Sequence, residues 1–284
     1  MPPPLTRRRL MLRALAVCAA GGTAFSTGCA ALLNQAPPPQ AATLPPIPMP
    51  AHAVQLELLF VERPINDPLL GSVLWTEMDQ LAGIPAAQRL ALSENGFRFG
   101  FCGSQAPPTL AALLAEVGED AYDDLEGFLT GRRLALRPGA TTEVQTTVAA
   151  RDWTAEVAES GAIEENTFPA ARGVLRVKLI GVEDGWAEVR IVPEIHYGDE
   201  LTQPMPNAEG WQLEQRQRIR MLSETAFSMR MALGELLVLS ADEAGPRLVG
   251  NQFFRREDQG RLMQRVLVLR IASIDRGDEL ALAD

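Results

Sequence analysis

Between Gly173 and Ile195 the chain alternates apolar and polar residues with a period of two. Leu175, Val177 and Leu179 are separated by Arg176 and Lys178, the pattern of a strand with one wet face. Glu183-Asp184-Gly185 follows, and Asp-Gly supplies the positive φ angles that a type I′ turn needs. The return strand sets Ala187, Val189, Ile191 and Ile195 on one face and Trp186, Glu188, Arg190 and Glu194 on the other. The pattern predicts a hairpin with Arg or Lys opposed to Glu across its wet face. Pro193 has no N–H, which predicts an edge position or a bulge near the end of the return strand.

Further sheet patterns predict strands over 132–137, 142–149, 225–232, 235–240 and 262–274. A strand is also expected over 211–221, with Gln212, Glu214, Arg216, Arg218 and Arg220 on its polar face. Trp211, Ile219 and Met221 fall on the other face. Upstream, Val54, Leu56, Leu58 and Phe60 predict an opening strand over 54–62. Asp67-Pro68 reads as the cap and first residue of a helix over 68–81. Pro85 opens a second helix over 85–94, which Asn95-Gly96 stops. A short strand at 97–102 and a third helix over 108–117 complete this part. The expected fold is α+β: a short strand–helix module over 53–130, then a mainly antiparallel β-rich domain over 131–275 and a polar tail over 276–284.

The N-terminus adds an address. Arg7–Arg9 form a charged start, and a short, weakly apolar stretch runs from Ala14 to Phe25. Ser26-Thr27-Gly28-Cys29 then resembles a lipobox, which implies a signal peptide over 1–28 and a lipid on Cys29. Thr6-Arg7-Arg8-Arg9-Leu10-Met11 also resembles a twin-arginine signal. Residues 29–52 are rich in Ala, Pro and Gln, a composition that favours extended backbone and predicts a tether. The expected location is the cell membrane or outer membrane, with the folded part facing the periplasm. The expected partners are the membrane, through the lipid, and an envelope protein.

Composition narrows the partners further. The 284 residues carry a net charge of −10, which argues against wrapping nucleic acid through its phosphates. Cys18 leaves with the leader and Cys29 takes the lipid, so Cys102 is alone and no intrachain disulfide is expected.

Candidate chemistry is sparse. His52 lies in the tether, which leaves His196 as the one histidine of the folded part. Tyr197-Gly198-Asp199-Glu200 follows it, so the alternative to a binding role is an exported hydrolase or metal-dependent enzyme using His196 with Asp199 or Glu200. Cys102 with His196 is a second, weaker pairing, for a thiol nucleophile. Phe101-Cys102-Gly103-Ser104 is not a nucleophile elbow, and no phosphate loop or cofactor fingerprint is present, so no catalytic, metal or cofactor residue is assigned. The acidic run over 116–126 reads as solvated surface, with a cation site as its alternative. Trp153, Trp186 and Trp211 read as packing residues, with a sugar or peptide face as theirs. The arginines at 216, 218 and 220 form a polar ribbon that suits acidic groups on a partner or plain solvent.

Three segments carry a family resemblance. Val174–Ile195, Glu224–Leu239 and Val266–Ile274 resemble successive strands of the β-rich domain of bacterial secretins, the ring-forming outer-membrane channels. Val54–Glu62 is similar to the strand that opens the small module before that domain. The segment over 199–210 is too short and polar for the amphipathic hairpins that line a pore. The resemblance implies a related β-fold in a lipoprotein with an assembly role, not a channel.

Overall fold

The apolar runs of the sequence close into two six-stranded antiparallel sheets. The computed structural model describes residues 53–81, 83–115, 129–207, 210–243 and 245–275, which belong to a unit spanning Pro48–Asp284. The leader, Cys29, the tether, the acidic run over 116–126 and the polar tail lie outside the described residues. In chain order the elements are β1 (Val54–Pro64), α1 (Ser72–Glu77), α2 (Ala86–Glu94), β2 (Phe97–Cys102), α3 (Pro108–Ala115), β3 (Leu129–Leu136), β4 (Thr141–Gln145) and β5 (Arg151–Glu159). There follow β6 (Ala162–Glu183), β7 (Trp186–Asn207), β8 (Gly210–Met221), β9 (Phe227–Ala232), β10 (Leu236–Ala241), α4 (Val249–Phe254), β11 (Arg255–Asp258) and β12 (Arg261–Ile274).

The first sheet runs β2-β10-β12-β1-β3, with β11 on β12. The second runs β4-β6-β7-β8, with β5 on β6 and β9 on β7. Alternation sends the two faces of the first sheet to different cores. Leu56, Leu58, Leu237, Leu239, Leu267 and Leu269 pack with Leu175, Val177, Val189 and Ile191 of the second sheet. Val61, Leu236, Val238, Val266 and Val268 pack instead with Leu74, Trp75, Leu110 and Leu113 of α1 and α3. The result is three layers: helices, sheet, sheet. A central strand covered on both faces has to be apolar on both, which is why β10 reads Leu-Leu-Val-Leu. No helix among the described residues is long and apolar enough to cross a membrane.

The mainly antiparallel β character is as expected, but the two-part division is not. β1 pairs with β12 and β2 with β10, so the stretch over 53–130 shares a sheet with the end of the chain. A strand apolar on both faces needs neighbours on both edges, and β1 finds them in β3 and β12.

The opening hairpin forms with Glu183 opposite Trp186, and Leu175, Val177, Leu179, Ala187, Val189, Ile191 and Ile195 all lie in the shared core as expected. Its turn differs from expectation: Gly185 alone takes a positive φ, of 84°. The type I′ signature, with positive φ at both central residues, appears instead at Ser160-Gly161 and Gln259-Gly260. Lys178 lies opposite Arg190, so the expected opposed charges pair differently: Arg176 reaches Glu194, and Glu188 lies opposite Arg230 on β9. β7 is not an edge strand. Its outer neighbour is β9 up to Ile191 and β8 from Glu194 onward, and Pro193 sits where the neighbour changes. Only its carbonyl is used there, accepting from the Leu222 N–H at 2.9 Å.

Two helices differ from the pattern. The helix expected over 68–81 shrinks to α1, because Asp67 caps a turn instead: its Oδ1 accepts from the Leu69 N–H at 2.9 Å. Asp79 is then drawn into a bridge with Phe101, which prevents continuation. The pattern gave no sign of α4, whose Gly250 lies against the backbone of Gly96; a Cβ there would come within 2.3 Å of the Gly96 oxygen.

Glu57 ties the first sheet together across three strands. It is buried, with Arg133 of β3 on one side at 2.8 Å and Arg270 of β12 on the other. Burial alone would raise its carboxyl, but hydrogen bonds and charge from Arg270 and then Arg133 hold it below the ordinary 4.5. A depressed carboxyl gives stability that is present above the unfolded value and lost as pH falls through the folded one. Glu57→Gln should therefore flatten the loss of stability below about pH 4.5, read from urea midpoints. Parallel curves for the two proteins would contradict this.

Candidate functional site

His196 lies on β7, one residue past Ile195, so it faces away from the shared core. Its neighbours are not those expected. Asp199 and Glu200 are exposed in a bulge between Tyr197 and Leu201, and they do not join it. Instead the His196 Nε2 lies 3.2 Å from Oε2 of Glu194, the residue two positions earlier on the same face. Glu143 of β4 brings a third ligand atom within 4.8 Å of these two. The Glu194 carboxylate is fully buried and already has a cation: Arg176 Nε lies 2.9 Å from Oε1. A metal ion at this trio would compete with that guanidinium.

The remaining sequence candidates separate. Cys102 packs beside the helix-side core, and burial, then Glu235, pushes its thiol up to about 11, far from thiolate reactivity at neutral pH. Trp153 is 1% exposed in the shared core, and Trp186 packs under the Arg230 guanidinium at 4.5 Å. In the arginine ribbon, Arg220 pairs with Glu159, while Ile219 and Met221 are 37% and 50% exposed. Arg216 and Arg218 are exposed as expected, and the expected facing fails only at the end of β8, where Arg220 lies opposite the inward Ile195.

A different site forms where the two sheets meet. A cavity of about 190 Å³ opens between the loop that follows β4 and the α4–β11 segment. Phe253, Phe254 and Met263 give it an apolar lining. Four arginines also line it: Arg151 from β5, Arg255 and Arg256 from β11, and Arg265 from β12. Glu62 and Glu257 are the carboxylates among the lining residues.

The arginines divide into two pairs. Arg256 and Arg265 share the buried Glu62, with Arg256 Nε donating to Oε1 at 2.6 Å and Arg265 Nη2 to Oε2 at 2.9 Å. The hydrogen bond to Glu62 raises Arg256 above its usual value. Arg265 also donates to the Thr146 carbonyl at 2.6 Å, which fixes the loop wall. Arg151 and Arg255 have neutral partners. Arg151 Nη2 donates to Gln252 Oε1 at 3.1 Å and to the Arg255 carbonyl at 2.9 Å. Arg255 donates to Gln264 Oε1 at 3.2 Å and to the Asp242 carbonyl at 2.8 Å. Burial lowers Arg255 against the opposing charges of Glu243 and Asp242.

Behind Arg255 the support is rigid. Gln264 is buried and donates to Ser240 Oγ at 3.0 Å, and Ser240 donates to the Arg265 carbonyl at 2.8 Å. Among the described residues neither guanidinium group has a directly bonded carboxylate, and two such groups beside apolar side chains can bind and orient an anion. The sequence reading missed these residues. The run Phe253-Phe254-Arg255-Arg256 was a visible signal, but Arg151 and Arg265 join it only through the sheet topology. Comparison of the chain with protein-family models, with curated proteins and with solved structures gives no match.

Proposed function

We propose that this chain is a lipid-anchored binding protein of the bacterial envelope that captures an anionic ligand in the arginine-lined cleft. One observation carries the reading: on a chain with a net charge of −10, Arg151 and Arg255 line a cavity and have neutral hydrogen-bond partners among the described residues. The lipid on Cys29 and the tether over 29–52 would hold the cleft off the membrane surface. An assembly role with an envelope protein, as the secretin resemblance implies, belongs to the same proposal.

The two halves have separate tests. Cys29→Ala should move the protein from the membrane fraction to the soluble fraction, and an unchanged distribution would sink the anchor. For the cleft, a ligand that binds only the folded state raises the melting temperature as its concentration rises. Benzoate at constant ionic strength should raise it for the wild type and not for Arg151→Gln/Arg255→Gln. Equal shifts in both proteins would place the anion elsewhere.

A further inference from the structure

The charge around the cleft is limited. Glu62 and Glu257 line the same cavity as the four arginines, and Asp258 lies 3.3 Å from Arg256. A dianion such as phosphate would gain from the arginines but would also meet those carboxylates, in a space where charge repulsion is poorly screened. A single carboxylate needs only one planar guanidinium fork, and Arg255 is already positioned by Gln264 and the Asp242 carbonyl.

The apolar side of the cavity sets the rest of the ligand. Phe253, Phe254 and Met263 are at most 4% exposed and form a floor fixed by the core, while Val148, 55% exposed, gives the apolar surface that a ligand would meet. A cavity of roughly 150 Å³ suffices for a benzene ring. The cleft's 190 Å³ adds room for one small polar group. Thr147 also lines the cavity; its hydroxyl oxygen accepts from the Gly173 N–H at 3.2 Å, which leaves its proton to donate to such a head.

Resting on the anion-binding reading of the cleft, we infer that its ligand is a monoanionic carboxylate bearing one compact apolar group. Two sources supply that chemistry: a small free acid, or the C-terminal residue of a peptide ending in an apolar side chain.

Calorimetry on the full chain in mild detergent tests this. The probes are benzoate, a tripeptide ending in Phe, its C-terminal amide, and inorganic phosphate, at fixed pH and ionic strength. Benzoate should bind about tenfold or more tightly than phosphate, and Arg151→Gln or Arg255→Gln should each weaken it by about tenfold. Arg151 is exposed, so its variant keeps the test open if Arg255→Gln fails to fold. Binding of the peptide acid but not its amide supports the inference with a peptide source. Binding of benzoate without the peptide supports it with a free acid. Phosphate binding as tightly as benzoate, with the same dependence on the arginines, overturns the carboxylate inference and leaves the anion cleft standing. No binding by any probe, or binding that neither variant weakens, overturns both.

Discussion

Phe253→Ala should cost about 3–5 kcal/mol of folding stability, the range for removing a fully buried aromatic side chain. Phe253 stands at a junction. Its ring meets Phe97 edge-on at 5.2 Å and Trp153 at 5.6 Å, so it joins β2 of the first sheet to β5 of the second. It also lies against Gly173 of β6, where a Cβ would approach its ring to 2.8 Å. That close approach leaves little slack in the backbone of β6 to fill the space that alanine would open. The same ring lines the cleft, so the variant should lose benzoate affinity along with stability. Urea unfolding with a two-state fit measures the first effect. A loss below about 1 kcal/mol would mean that the junction relaxes and the sheets are not coupled through this ring.

Arg176→Ala should be nearly as damaging for a different reason. Glu194 is fully buried on β7; Arg176 Nη2 donates to its Oε2 at 3.1 Å, and Arg176 Nε lies 2.9 Å from its Oε1 as an ion pair. Removing one partner of a buried pair costs about 3–5 kcal/mol, because the other charge is left without compensation. Arg176 is 36% exposed, which places the expected loss near the lower end of that range. The double variant Arg176→Ala/Glu194→Gln should recover part of it, since the buried charge is then gone as well. If the double variant is less stable than the single one, the pair does not act through its charges. This pair also bears on the enzyme alternative, since the cation that His196 and Glu194 would need for metal chemistry meets Arg176 already in place.

Much of the fold was legible because its strands alternate. β1, β2, α2, β10 and β12 begin and end within about two residues of the expected positions, each bounded by Pro, Gly or Asn. The alternation was also present in Trp153, Ala155 and Val157 of β5, which are buried as a strand with one wet face requires. What sequence periodicity could not supply was pairing. Nothing local says that β1 lies between β3 and β12, so two strands and three helices read as a module of their own. The same limit hid the cleft. Its arginines come from β5, β11 and β12, and each alone looks like a residue on a wet face. His196 drew notice as a rare residue type, yet its partner proved to be the same-face Glu194 and not Asp199 or Glu200 in the turn. A period of two favours i and i+2 neighbours, and that rule was available from the sequence.

The most direct measurement of the anion cleft is anomalous diffraction from crystals of the protein soaked in 4-iodobenzoate. An iodine peak is expected against Phe253 and Met263, with the carboxylate within hydrogen-bonding distance of Arg255 or Arg151. Iodine found only outside the cleft, with the arginines still bonded as they are to Gln252, Gln264 and the backbone, would contradict it.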